Sequence, residues 1–229
     1  MLRVRPIVST SDLPRYGSLL SALGLRVALG DGGCRVYDAG GGRLVLQSPQ
    51  PGGAGANAVE LGFEVGDSPG NLDEFVRRTR QAGTSVDVVG QDHRRAARVS
   101  APGSTTFLAV PGPRAVTPPG IPLGVVAHWH TADTEAAARV LLDIGARSRR
   151  ISPDGTWRDF TAKNGGVVAV HPAAEASVTL GFEYDGDVRG LAGTLEVAGF
   201  EHSVIDGAVD RSLHLRIPGH FPVLIGEKR

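Results

Sequence analysis

The chain is poor in sulfur, lysine, aromatic rings and net charge. Its single cysteine, Cys34, excludes an intrachain disulfide. That usage suits a reducing compartment, and a cytoplasmic location is expected. Twenty-four basic residues balance 24 acidic ones, giving a formal net charge of zero. The broad basic footprint of a nucleic-acid binder or an anionic-membrane binder is therefore absent, and neither partner is expected. No apolar run approaches the length of a membrane span. The N-terminal MLRVRPIVSTSDL also lacks the apolar stretch of a signal peptide. Aromatic residues are only 5% of the chain, and both tryptophans, Trp129 and Trp157, fall in the second half. Hydrophobic residues still reach 41% of 229, enough to pack cores in two domains of ordinary size.

An internal echo is also present. Residues 59–64 read VELGFE, and residues 178–183 read VTLGFE. The strand-like GGRLVLQ at 41–47 returns as GGVVAVH at 165–171. Asp12 and Gly24 return as Asp133 and Gly145, while Ala82-Gly83 and Pro102-Gly103 return as Ala198-Gly199 and Pro218-Gly219. A shift that holds within a segment and changes between segments marks a duplicated domain with loop insertions. The period is far too long for a solenoid.

Each half repeats a smaller order. Ile7–Ser9 reads as a strand. Ser11-Asp12 offers an N-cap, Pro14 sits in the first turn, and Leu19, Leu20 and Leu23 line one helical face. Gly24 stops that helix as a left-handed residue. Strands are predicted near Arg26–Leu29, Cys34–Asp38 and Arg43–Gln47. The second unit predicts a strand at Leu61–Val65, a helix at Asn71–Gln81, then strands at Ser85–Val89, Ala96–Ser100 and Phe107–Val110. The expected fold class is α+β: four βαβββ modules in two tandem domains, with curved mixed sheets enclosing clefts. The domains are expected at residues 1–112 and 120–229, joined by a proline-rich linker at 113–119.

This order resembles the vicinal oxygen chelate superfamily, which includes glyoxalase I, extradiol dioxygenases and the fosfomycin and bleomycin resistance proteins. The segments that carry the resemblance are SDL at 11–13, LGFEVGD at 61–67, LDEFVRRTRQAG at 72–83 and APGSTTFLAV at 101–110, with LGFEYDGD at 180–187 and IPGHFPVLIG at 217–226. The resemblance implies paired modules wrapping a cleft. In family enzymes it implies a divalent metal held by His or Glu on three facing strands. The corresponding positions here are Arg5, Glu60 and Leu108 in the first half and Val126, Thr179 and Leu224 in the second. A guanidinium stays protonated and does not ligate, and Leu and Val bring no donor. No metal site and no cofactor are expected at these positions, and the protein is expected to be metal-independent.

The remaining polar and aromatic candidates concentrate in the second half. Strand alternation puts His128 and His130 on one face, with Trp129 on the other. His171 ends another strand, Glu183 shares a face with Thr179, and His220 precedes the last strand. Together with Trp157 and Leu224 these residues form the expected ligand site: His128, His130, His171, Thr179, Glu183, His220, Leu224, Trp129 and Trp157. The first half has one histidine, His93, and no tryptophan. Glu60 and Glu64 are expected on one face, paired with Arg5 or Arg98, as a structural ion pair or a polar anchor. Gly62 and Gly181 clear side chains from the middle of cleft strands, for a ligand or for tight packing. The glycine runs at 30–33, 40–42 and 52–55 lack the GxxxxGK[ST] arrangement and read as turns. Ser9, Ser11 and Ser18 lack a nucleophile elbow, and Cys34 lacks an evident base.

The leading expectation is a protein that binds a small hydrophobic or aromatic molecule, of the drug-binding or natural-product-related kind, as a monomer or homodimer. The alternative is a glyoxalase-like lyase or isomerase, or a dioxygenase-type enzyme, with a non-standard metal site around His128, His130 and His171. The third is a regulatory or structural protein with filled clefts.

Overall fold

Four βαβββ modules follow one another along the chain in the computed structural model, which describes residues 2–50, 55–90, 95–113, 120–152, 154–207 and 211–228. The first comprises β1 (Arg3–Val4), β2 (Ile7–Ser9), α1 (Leu13–Ala22), β3 (Arg26–Asp31), β4 (Cys34–Asp38) and β5 (Arg43–Gln47). The second comprises β6 (Ala58–Glu60), β7 (Gly62–Gly66), α2 (Asn71–Ala82), β8 (Val86–Val89), β9 (Ala96–Ser100) and β10 (Thr106–Gly112). The third comprises β11 (Leu123–Thr131), α3 (Thr134–Asp143), β12 (Arg147–Ile151), β13 (Arg158–Thr161) and β14 (Val167–Pro172). The fourth comprises β15 (Ser177–Tyr184), α4 (Arg189–Val197), β16 (His202–Asp206), β17 (Arg211–Leu215) and β18 (Val223–Glu227). His93 and all of the expected linker except Pro113 lie outside the described residues.

The repeated caps do what their chemistry demands. Asp12 accepts a hydrogen bond from the Arg15 amide at 3.0 Å, and Asp133 accepts one from Ala136 at 2.9 Å. Gly24 and Gly145 follow α1 and α3 at φ +86° and +95°, where a side chain would be strained.

The second half forms one eight-stranded sheet in the order β12-β13-β14-β11-β15-β18-β17-β16. The first half has the same order, broken at its centre into β3-β4-β5-β2-β6 and β1-β7-β10-β9-β8. The break falls at Arg5-Pro6 on one strand and Leu61 on its neighbour. Pro6 has no amide hydrogen to give to a ladder. Pairing is in one register on both sides of it, Arg3 with Glu64 and Ile7 with Glu60. Arg5 thus faces Gly62 as Val126 faces Gly181. Leu108 and Leu224 sit beside those glycines on the next strand.

The cores are shared between halves. One joins the second and third modules, with Phe63, Val76, Phe107, Trp129, Leu141 and Phe160 among its buried side chains. The other joins the first and fourth, with Tyr16, Leu20, Tyr37, Phe182, Leu195 and Ile225. Fully burying one such Leu or Phe contributes about 1.5–3 kcal/mol. Glycines close the seam. The Gly40 amide donates to Leu123 O and the Val125 amide to Gly41 O, each at 2.7 Å. The run at 40–42, expected as a plain turn, is also a backbone dock between halves.

Candidate functional site

The functional surface follows from the alternation of β11. Its even-numbered side chains Val126 and His128 face a cavity, and its odd-numbered Trp129 enters the core. The cavity has a volume of about 260 Å³. Val126, Val167, Ala169 and Leu224 give it an apolar floor. Trp157 and His171 form a ring-faced wall, with centroids 6.2 Å apart and planes tilted by 33°. Charged side chains from β12, β13, β15, β17 and β18 also line the cavity.

Three imidazoles stand together at this wall. His128 Nδ1 lies 3.0 Å from His171 Nε2, so one ring donates to the other. His130 stacks on His171 at 5.2 Å and reaches Thr179 Oγ1 at 3.4 Å. Burial pushes His128 down to about 3, with His171 and His130 adding repulsion against its protonation. His171 is pushed down to about 4, by burial first and His130 second. Burial also lowers His130. The group is therefore uncharged at neutral pH and offers hydrogen-bonding edges with no net field. Gly181 is explained by this packing: a Cβ there would sit 2.5 Å from His128 Nε2. Gly62 has a different cause, since its Cβ would meet the Arg5 carbonyl oxygen at 2.6 Å.

The rim is an ion lattice. Arg149 contacts Glu183 at 2.5 Å and Asp159 at 2.7 Å. Arg150 contacts the same two carboxylates, at 2.7 and 2.9 Å. Two neighbouring residues on a regular strand point to opposite faces. A register shift between Ser148 and Arg150 turns both guanidiniums to one side. Sequence reasoning missed Arg149, Arg150 and Asp159, because a bulge leaves no residue signature here. The signal available was Glu183 itself, a carboxylate on a largely buried strand that requires a cation.

His128, His171, Glu183, Leu224 and Trp157 line the cavity, and His130 and Thr179 adjoin it through the imidazole stack. Two expected site residues lie elsewhere. Trp129 is fully buried, edge-on to Phe107 at 6.3 Å, because alternation turns it away from the flanking histidines. His220 packs on Tyr16 at 5.0 Å and contacts Thr10 Oγ1 at 3.0 Å, where the fourth module meets the first. The first-half expectation holds for Glu64, which pairs with Arg5 at 3.1 Å and also contacts Arg3 at 3.0 Å and Arg43 at 3.2 Å. Arg98 is exposed on β9 and takes no part.

Neither a family model nor a curated protein matches the sequence. Solved structures do match the fold. Homoprotocatechuate 2,3-dioxygenase from Arthrobacter globiformis aligns at a TM-score of 0.66 and 13% identity, covering 99% of this chain and 78% of that one. The 2,2',3-trihydroxybiphenyl 1,2-dioxygenase of Sphingomonas wittichii gives 0.65 at 16% identity, covering 99% and 89%. The Mn(II)-bound glyoxalase of Novosphingobium aromaticivorans gives 0.63 at 15% identity, covering 98% and 80%. The protein has the vicinal oxygen chelate fold, an α+β architecture of four modules.

The metal-bound neighbour makes the donor set here the test. The positions assigned by resemblance hold Val126, Thr179 and Leu224, which together bring one hydroxyl. Among the described residues no group of three or more His, Cys, Asp or Glu is placed to hold a metal ion. The ring nitrogens of His128 and His171 that face each other are engaged with one another. These residues do not fit the chelate. That misfit concerns the donors, and the fold neighbours give metal independence no support. Among the described residues no helix is long and apolar enough to cross a membrane.

Proposed function

We propose that the protein binds a small, neutral, planar molecule in the second-half cleft. The observation that carries this reading is the pairing of an apolar floor with an uncharged imidazole and indole wall. The rim charges are paired internally, so a charged ligand would have to break an ion pair to be recognised. Ring stacking on Trp157 and His171 contributes about 0.5–1.5 kcal/mol beyond area burial. One or two hydrogen bonds to imidazole edges add about 0.5–1.5 kcal/mol each and set orientation. The cavity is small beside the ~300–1,000 Å³ of drug-sized sites, which favours one or two fused rings.

A panel of neutral one- and two-ring aromatics tests this through tryptophan fluorescence. Only Trp157 faces the cleft, so binders should quench in the wild type and not in Trp157→Phe. His171→Ala should weaken the same compounds by about tenfold. Binders that respond equally in Trp157→Phe would place the site elsewhere.

A second reading, an acid–base enzyme of lyase or isomerase type, is favoured by the 3.0 Å contact between neutral His128 and His171. A neutral imidazole takes up one proton, and the contact lets the pair share it. Recovery of a bound compound unchanged after long incubation separates binding from turnover.

A further inference from the structure

A second cavity adjoins the imidazole cleft. Its volume is about 310 Å³, and Arg149, Val167 and Glu183 line it as they line the first. The two are thus neighbouring compartments that meet at the Arg149–Glu183 pair. The second compartment ends at the seam between halves, where Gly40 and Gly41 of the first half form part of its wall. Together the two volumes fall within the ~300–1,000 Å³ of drug-sized sites, which the first alone does not reach.

Strand β11 runs from one compartment into the other. Its even-numbered face carries His128 and Val126 in the first cavity and Gly124 in the second, while Leu123 and Val125 turn into the core. A glycine inside a strand weakens it, so each needs a cause. Its neighbours have one in their packing. A Cβ on Gly40 would overlap the Ile121 carbonyl oxygen, and one on Gly166 would meet the Val4 Cβ at 2.5 Å. Gly124 has no such cause. A Cβ there would meet nothing nearer than the Gly41 carbonyl oxygen, at 3.9 Å, and its φ lies outside the left-handed region. The missing side chain instead leaves the floor of the second compartment open.

The charges around this floor are matched. Arg149 contacts Glu183 at 2.5 Å, and Lys228 contacts Asp185 at 2.9 Å. A charged guest would have to break one of these pairs. Thr161 also lines the compartment, and its hydroxyl makes no hydrogen bond among the described residues. A hydroxyl both donates and accepts, so it suits a neutral polar group.

Resting on the ligand reading given above, we propose that the ligand's ring carries a neutral hydrogen-bonding chain, an amide or an alcohol. The chain leaves the imidazole compartment past Val126 and places its polar end over Gly124, within reach of Thr161. Two residues of strand separate Val126 from Gly124, so the chain spans about 7 Å.

Isothermal titration of the full-length protein with indole, indole-3-acetamide and indole-3-hexanamide tests this. The hexanamide is long enough to reach Gly124, and the acetamide is not. The hexanamide should bind at least about tenfold more tightly than indole, with little gain for the acetamide. That gain should shrink in Gly124→Ala, which should melt no lower than the wild type, and vanish in Gly124→Val. His171→Ala should weaken indole and hexanamide alike and leave their ratio unchanged. The Gly124 amide signal should shift with the hexanamide and not with indole. Indole binding with no gain from the chain overturns this proposal alone, and so does a full gain retained in folded Gly124→Ala and Gly124→Val. An equal gain from 3-hexylindole, which has no amide, overturns the polar chain. If indole itself does not bind, the reading above falls and this proposal falls with it.

Discussion

His128 is where sequence, packing and chemistry meet most tightly. Its ring fills the space that Gly181 leaves open and is held by His171. The folded protein keeps it neutral, with a value of about 3, while the unfolded chain protonates it near 6.5. Between those values the unfolded state binds the extra proton, so stability is full above about pH 6.5 and falls as pH drops toward 3. From about pH 7 to about pH 5 His128 should cost about 2 kcal/mol of stability, and His171 less because solvent screens it. Denaturant melts at the two pH values measure this, and the acid-side loss should shrink in His128→Gln. Imidazole NMR of the wild type should show a His128 signal that does not titrate down to about pH 5. Titration near pH 6.5 would mean that the ring is not buried as described.

At the scale of elements, the two halves use one repeated glutamate with different partners. Glu64 and Glu183 occupy the same place in the LGFE repeat, and each gathers arginines. In the second half the bulge on β12 supplies Arg149, whereas the matching bulge on β3, between Val27 and Leu29, holds Ala28. Glycines in other elements also differ in role. Gly40 stands where a Cβ would overlap the Ile121 carbonyl oxygen at the seam. Gly190 and Gly193 lie in α4 with nothing within 4 Å of the Cβ position. Gly193→Ala should therefore stabilise by about 1 kcal/mol, through helix propensity and a less flexible unfolded chain. Gly40→Ala should destabilise by about 1–3 kcal/mol or more. Thermal melts of the two variants give opposite signs if these placements hold.

Much of the element order was legible in the residues. Cys34–Asp38, Arg43–Gln47 and Ala96–Ser100 match their strands to the residue, because short apolar-rich runs beside glycine and proline turns leave little room for a helix. The cap aspartates and stop glycines fixed the helices for a similar local reason. The candidate site was legible where alternation sufficed, as for His128 against Trp129. It was not legible where a bulge or a distant module decided the outcome. Arg149 and Arg150 share a face through an extra residue in the strand, and His220 is captured by Tyr16 from a module nearly the whole chain away.

The whole molecule is a duplication whose halves depend on each other. Each core draws side chains from both halves, and backbone bonds at Gly40, Gly41 and Gly165 close the seam. Cutting the chain would expose the packed faces of Trp129, Leu141, Phe182 and Leu195 together. Residues 120–229 expressed alone should give no cooperative unfolding transition, checked by calorimetry, while co-expression with residues 1–112 should restore one. A stable second half alone would show that its own sheet and helices suffice.

The imidazole and indole wall of the second half is the proposed ligand surface. Chemical-shift mapping on the full-length protein, with a panel of neutral one- and two-ring aromatic fragments, tests it most directly. Shifts caused by binders should converge on His128, His171, Trp157 and Leu224, with the Trp129 indole signal little affected. Binders whose shifts gather around Arg5 and Glu64, or at no common surface, would contradict it.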